Sequence, residues 1–179
     1  KYQDSYQHLV IDPVMVSTSG CRLMQEDALD VFITELLPLA TLLTPNIPEA
    51  EILANRKIEN AEDIKAAAAA ICKLGCRYVL IKGGHFDGAE KVDYLFEDGK
   101  LKTSYRGISV NTRNTHGTGC TLSSAITSYL AREMDMNTAI AMAKTYLSGA
   151  ILAGKDIKIG EGHGPVNHFY EPKSLFTKS

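Results

Sequence analysis

The sequence has no excess of positive charge, no long apolar run and no cysteine pattern typical of a stapled fold. Its 19 basic side chains face 21 acidic ones, giving a net charge of −2 and a pI near 6.2. A protein that grips a phosphate backbone carries a basic surplus, so nucleic acid is not an expected partner. The longest unbroken apolar stretch, Ala66 to Cys72, falls far short of the roughly 20 residues of a membrane-spanning helix, so no membrane association is expected. Lys1 to His8 are polar and lack the apolar core of a signal peptide. The four cysteines have no disulfide-framework spacing, so a reducing cytoplasm is the expected setting. Neither G-x-x-x-x-G-K-[ST] nor G-x-G-x-x-G occurs. No C-x-x-C or H-x-x-x-H pair occurs to build a zinc site, and no catalytic-triad order is evident.

What is present is an ordinary globular composition, 45% apolar and 22% charged over 179 residues, enough for one substantial core. No repeat or linker divides the chain, so one domain, or most of one, is expected. The chain opens on Lys1 and runs quickly into apolar Leu9-Val10-Ile11, which reads as an internal starting point.

Strand and helix signals alternate. Residues 8–11 form a short apolar run stopped by Asp12-Pro13. Leu29, Phe32, Ile33, Leu36 and Leu37 recur with helical spacing, and the pattern predicts a helix ended by Pro38. Ala40 to Leu43 reads as a second strand ended by Thr44-Pro45-Asn46, and Pro48 opens a short helix through Leu53. Asn60 is placed to cap a helix with Glu62 and Asp63 in its first turn, a core face of Ile64, Ala67, Ala68, Ile71 and Leu74, and Gly75 at its end. Tyr78 to Ile81 is the next strand, running into Lys82-Gly83-Gly84. Asp98-Gly99 between Asp93–Phe96 and Leu101–Tyr105 predicts a hairpin. Two helices follow, about 118–133 and 138–153, then a glycine-rich tail. The alternation predicts an α/β fold: a mostly parallel sheet flanked on both faces, with an antiparallel hairpin at one side.

In such sheets ligands gather at the carboxyl ends of the strands. Here those ends carry Asp12, Thr44-Pro45-Asn46 and Lys82-Gly83-Gly84, although strand ends meet polar turns in any case. The most informative stretch is Asn114-Thr115-His116-Gly117-Thr118-Gly119-Cys120-Thr121, directly before a helical run. Gly117 and Gly119 permit φ > 0 and a close approach, while the first helical turn presents unpaired N–H groups to an anion. That is the chemistry of a phosphate cradle; the alternative is a glycine turn shaped for packing. Cys120 sits at the helix head, where a thiolate is stabilised, or it is a small buried hydrophobe. Cys72 and Cys76 read as buried hydrophobes and Cys21 as an exposed loop residue. His85, His116, His163 and His168 lack metal-ligand spacing and read as loop or phosphate-contacting residues. Asn46 and Glu49 have two readings. Glu49 suits water-mediated Mg²⁺ beside a nucleotide, and the pair equally forms a helix-capping box. Lys82 is a point donor for phosphate or a solvated strand-end residue.

Five blocks occur in order: Asp12-Pro13-Val14-Met15-Val16; Thr44-Pro45-Asn46 with Glu49; Lys82-Gly83-Gly84-His85; Thr115-His116-Gly117-Thr118-Gly119-Cys120; and His163-Gly164-Pro165. In this the chain resembles the hydroxymethylpyrimidine/phosphomethylpyrimidine kinases of thiamin biosynthesis, in the ribokinase-like superfamily, from about residue 9 to residue 170. Its G-T-G-C loop is narrower than the superfamily's more usual G-x-G-D. The resemblance implies a three-layer αβα sandwich. It also implies a kinase that phosphorylates 4-amino-5-hydroxymethyl-2-methylpyrimidine and then the monophosphate, with ATP and Mg²⁺ as cofactors and a homodimer as the working form.

By the same resemblance Gly117, Thr118, Gly119 and Cys120 form a catalytic anion hole, with Cys120 where relatives place an Asp base. Val14, Asp12 and Cys120 meet the substrate. Lys82, Asn46, Lys144 and His116 face ATP, and Glu49 and Asp12 face the metal. The family's opening βαβ region has no counterpart here. A complete family domain holds about 250 residues, so residues 1–179 read as the carboxyl-terminal two thirds of one kinase domain, expected to be poorly soluble and inactive alone. The related alternative is a pyridoxal kinase. Some of those carry a lid cysteine directly after the D-P-V-M-V block, where this sequence has Ser17, with Cys21 four residues on. A non-catalytic binding relative is the third reading.

Overall fold

The computed structural model describes residues 5–15, 23–84, 92–107 and 110–172. Five strands form one sheet in the order β1 (Val10–Ile11), β2 (Leu42–Leu43), β3 (Tyr78–Gly84), β4 (Val92–Glu97) and β5 (Lys100–Arg106). Val10 stands opposite Leu42, and Leu42 opposite Tyr78, both pairings parallel. β4 runs antiparallel to β3 and to β5. β4 alone is therefore reversed, and the sheet is mostly parallel as expected. Asp98 and Gly99, at φ 49° and 76°, form the two-residue turn between β4 and β5.

β1 and β2 are shorter than the apolar runs that encode them. At their starts the Thr41 Oγ1 accepts from Leu9 N at 3.0 Å, while Leu9 O accepts from Thr41 N and Leu42 N.

Side chains alternate across a strand, and the sheet buries both faces. Leu43, Val79, Ile81 and Phe96 pack under the helices α2 (Ile47–Ala54) and α3 (Ala61–Cys72), together with Ile64, Ala67, Ala68 and Ile71. Leu42, Leu80 and Leu95 face the other way, against Leu122 and Ile126 of α4 (Thr118–Leu130) and Ala139, Ile140 and Ala143 of α5 (Met136–Gly154). Three layers result. Asn60 caps α3 as its sequence predicts, accepting from Glu62 N and Asp63 N. Among the described residues no helix is long and apolar enough to cross a membrane.

The first helix departs from expectation. α1 spans Glu26–Val31, then the chain widens into a π turn at Phe32–Leu36 and tightens into a 3₁₀ turn at Leu37–Leu39. Pro38 has no N–H to continue the α-helical ladder, and Leu37 N bonds Phe32 O, five residues back. The wide turn shifts the helical phase. Phe32 and Leu37 are buried, whereas Leu36, expected in the core, is exposed.

Candidate functional site

Three strand ends and one helix start converge. The Asp12 carboxylate, just past β1, accepts from Lys82 Nζ at 2.8 Å and from Thr44 Oγ1 at 3.0 Å. Lys82 lies on β3, and its backbone N–H bonds Pro45 O at 2.8 Å, so β2's end and β3's end share a register. Gly119, in the first turn of α4, completes the cluster. A methyl placed on it would stand 3.2 Å from Asp12 Oδ2 and 3.5 Å from Lys82 Nζ. The start of α4, with its dipole and first-turn N–H groups, therefore lies against a lysine held by a carboxylate.

The loop before α4 is shaped from both sides. Gly117 is the N-cap at φ 85°, a conformation a side chain strains. No atom lies within 4 Å of where its Cβ would be, so backbone shape rather than crowding requires glycine there. Gly119, expected to share that conformation, is not left-handed; its lack of a side chain serves close approach instead. On the far side the late His163-Gly164-Pro165 block supports the loop. His116 N bonds Gly164 O at 3.1 Å, Gly164 N bonds Asn114 Oδ1 at 3.1 Å, and Thr121 Oγ1 meets His168 Nε2 at 2.9 Å.

Asn46 and Glu49 form a full capping box on α2: Glu49 N bonds Asn46 Oδ1 and Asn46 N bonds Glu49 Oε2. Burial pushes the Glu49 carboxyl up from its ordinary value, opposed by the Asn46 N–H and the Lys82 charge and reinforced by the Asp12 charge. The Asp12 charge thus reaches Glu49 across the cluster. Cys120 is exposed in the first turn of α4, beside a cavity of about 510 Å³ that Thr121, Tyr129, Tyr146 and His168 also line. Burial pushes the Cys76 thiol up to about 12 and also raises Cys72, in keeping with their reading as hydrophobes.

Other expected residues lie elsewhere. Lys144 pairs with Asp93 and lines a second cavity of about 440 Å³ between β5 and α5. His116 turns its backbone to Gly164, and Val14 is exposed beside Asp12. His85, Ser17 and Cys21 lie outside the described residues.

Sequence reasoning placed Thr44 at a strand end but missed its burial on Asp12, and it missed Asp93, which accepts from Gly83 N at 2.8 Å and pairs with Lys144. The signal for Asp93 was its place two residues before Leu95, a carboxylate on a core face.

Among the described residues no three His, Cys, Asp or Glu side chains converge to hold a metal. Mg²⁺ delivered with phosphates needs only one or two carboxylates and its own waters, and Asp12 and Glu49 suit that role.

The sequence matches the family described as phosphomethylpyrimidine kinase over residues 1–167. A hydroxymethylpyrimidine/phosphomethylpyrimidine kinase from Rhizobium meliloti (strain 1021) is 46% identical over 162 residues, covering 90% of this chain and 60% of that protein. The crystal structure of a phosphomethylpyrimidine kinase from Clostridium difficile 630 superposes with a TM-score of 0.69 at 43% identity, over 82% of this chain and 58% of that one. An ADP complex of Bacillus subtilis pyridoxal kinase gives a TM-score of 0.78 at 31% identity, over 93% and 60%. The chain thus spans 60% of the length of the Rhizobium relative. With its five blocks in order and three of their strand ends meeting the start of α4, the chain belongs to the phosphomethylpyrimidine kinase family.

Proposed function

We propose that the protein carrying this chain is an ATP-dependent kinase that phosphorylates 4-amino-5-hydroxymethyl-2-methylpyrimidine and then its monophosphate, giving the diphosphate. The observation that carries the reading is the meeting of Asp12, Lys82 and Gly119 at one helix start. Phosphoryl transfer asks a protein chiefly for positioning and for positive charge where negative charge gathers.

Magnesium-bound ATP would supply the transferable phosphoryl group. Lys82 faces its phosphates, held ready by Asp12 and Thr44. The N–H groups of Gly119 and Cys120 have no acceptor within the helix and receive the charge on the moving group. Cys120 stands where a base would take the proton of the hydroxymethyl as its oxygen bonds phosphorus and the bond to the departing ADP breaks. Asp12 and Glu49 would hold the metal's water shell, and Asn46 fixes Glu49 through the capping box. The cavity between β5 and α5 is proposed for the nucleoside end. The chain supplies part of a domain of its relatives' length, the remaining walls of the acceptor pocket coming from outside it. Family resemblance alone supports a cytoplasmic homodimer.

A pyridoxal kinase is the second reading, favoured by the closer superposition on the Bacillus protein. The test is product mass on the intact gene product with Mg-ATP and, separately, the hydroxymethylpyrimidine, its monophosphate and pyridoxal. Mono- and diphosphate from the pyrimidines support the proposal. Phosphate on pyridoxal alone replaces it with the second reading, and no product from any acceptor points to a binding protein.

A further inference from the structure

Asp93 sits on β4 in step with Leu95, on the face covered by α4 and α5. A carboxylate there is costly unless it is paired and hydrogen-bonded. It is both: Oδ2 pairs with Lys144 Nζ from α5, and Oδ1 accepts from Gly83 N at 2.8 Å. Only 11% of the Asp93 side chain and 15% of the Lys144 side chain remain accessible. The bond falls where the β3–β4 register slips, between Ile81 and Gly84. Bulges of this kind turn a strand's side chains to a new direction. Gly83 is left-handed at φ 77°, with no atom near its absent Cβ, and directly follows Lys82.

We propose that Asp93 and Lys144 are positioning residues for Lys82. Lys144 holds the Asp93 carboxylate, the carboxylate holds the Gly83 peptide in its bulge, and the bulge sets Lys82 Nζ on Asp12 beside Gly119. A buried ion pair is seldom needed for stability alone, since apolar residues of similar volume often serve as well. The peptide it fixes adjoins the one lysine in the cluster. The functional consequence rests on the kinase reading above; the placement of Gly83 does not.

The test compares two uncharged double variants of the intact gene product, Asp93→Asn/Lys144→Met and Asp93→Ala/Lys144→Met. Both remove the ion pair, but only the first keeps an oxygen for Gly83 N–H. The alanine pair is expected to turn over about 30- to 100-fold more slowly in kcat than the asparagine pair, with the same acceptor KM. Amide exchange at Gly83, read by mass spectrometry of the peptide that contains it, should quicken in the alanine pair only. Equal kcat in the two pairs, or equal exchange at Gly83, overturns the proposal. If the alanine pair does not fold, Asp93→Leu/Lys144→Met, which likewise offers no side-chain oxygen to Gly83 N–H, takes its place and is read against the asparagine pair in the same way. Should the wild type transfer no phosphoryl group, the kinase reading falls, and the exchange comparison alone decides the positioning.

Discussion

Gly119 carries no side chain at the point where a methyl would press on Asp12 Oδ2 and Lys82 Nζ, at 3.2 and 3.5 Å. Its backbone is not left-handed, so Gly119→Ala strains the site rather than the chain. Turnover is expected to fall about 100-fold, as small misplacements of reacting groups do, with the melting temperature nearly unmoved; steady-state kinetics beside a thermal melt checks both. The cysteines separate in the same way. Cys120 is exposed, whereas Cys76 is buried with its thiol pushed up to about 12. Iodoacetamide at neutral pH should modify Cys120 well before Cys76, and peptide mapping that finds the reverse order would contradict the burial assigned here. Lys82 and Cys120 stand out in the sequence because each sits in a local motif. The pairings of Thr44 with Asp12 and of Asp93 with Lys144 do not, because they join residues 32 and 51 positions apart.

Helix caps were legible for the same local reason, and they carry their own chemistry. Asn60 satisfies two first-turn amides of α3, so Asn60→Ala should cost about 1 kcal/mol in a urea melt without changing turnover. Glu49 is different, being a cap under a buried roof. Its folded pKa is raised above 4.5, chiefly by burial. Its contribution to stability is therefore fully present below pH 4.5 and lost as the pH rises through the folded value. Glu49→Gln, which keeps an oxygen for Asn46 N, should match or exceed wild-type stability at pH 7. The gap should close in acid, while Mg-dependent turnover falls at every pH. A variant less stable at pH 7 than at pH 4, relative to wild type, would contradict that sign. The turn that defied prediction was Phe32–Leu39. Periodicity sees spacing but not the carbonyl that Pro38 leaves without its donor, and the resulting π turn put Leu36 outside.

Across the whole molecule, alternating strand and helix signals were enough to foretell a sheet buried on both faces, because the apolar runs of β1 to β4 feed both cores. Strand order and the convergence of Asp12, Lys82 and Gly119 required the resemblance and the structure, since no local pattern encodes which strand ends meet. One surface cluster ties β3 to the hairpin: Lys102, Tyr78 and Arg77 hold the Glu97 carboxyl well down, at about 2. That contribution is present above the ordinary 4.5 and is lost as the pH falls toward 2. The difference in urea midpoint between wild type and Glu97→Gln should be widest above pH 4.5 and vanish toward pH 2. Lys82, held on Asp12 beside the start of α4, is proposed to supply the charge for phosphoryl transfer. Turnover of the hydroxymethylpyrimidine by the Lys82→Met form of the intact gene product tests it most directly. A fall of about 10²- to 10³-fold in kcat with the acceptor KM unchanged is the expected result, and turnover equal to wild type would contradict it.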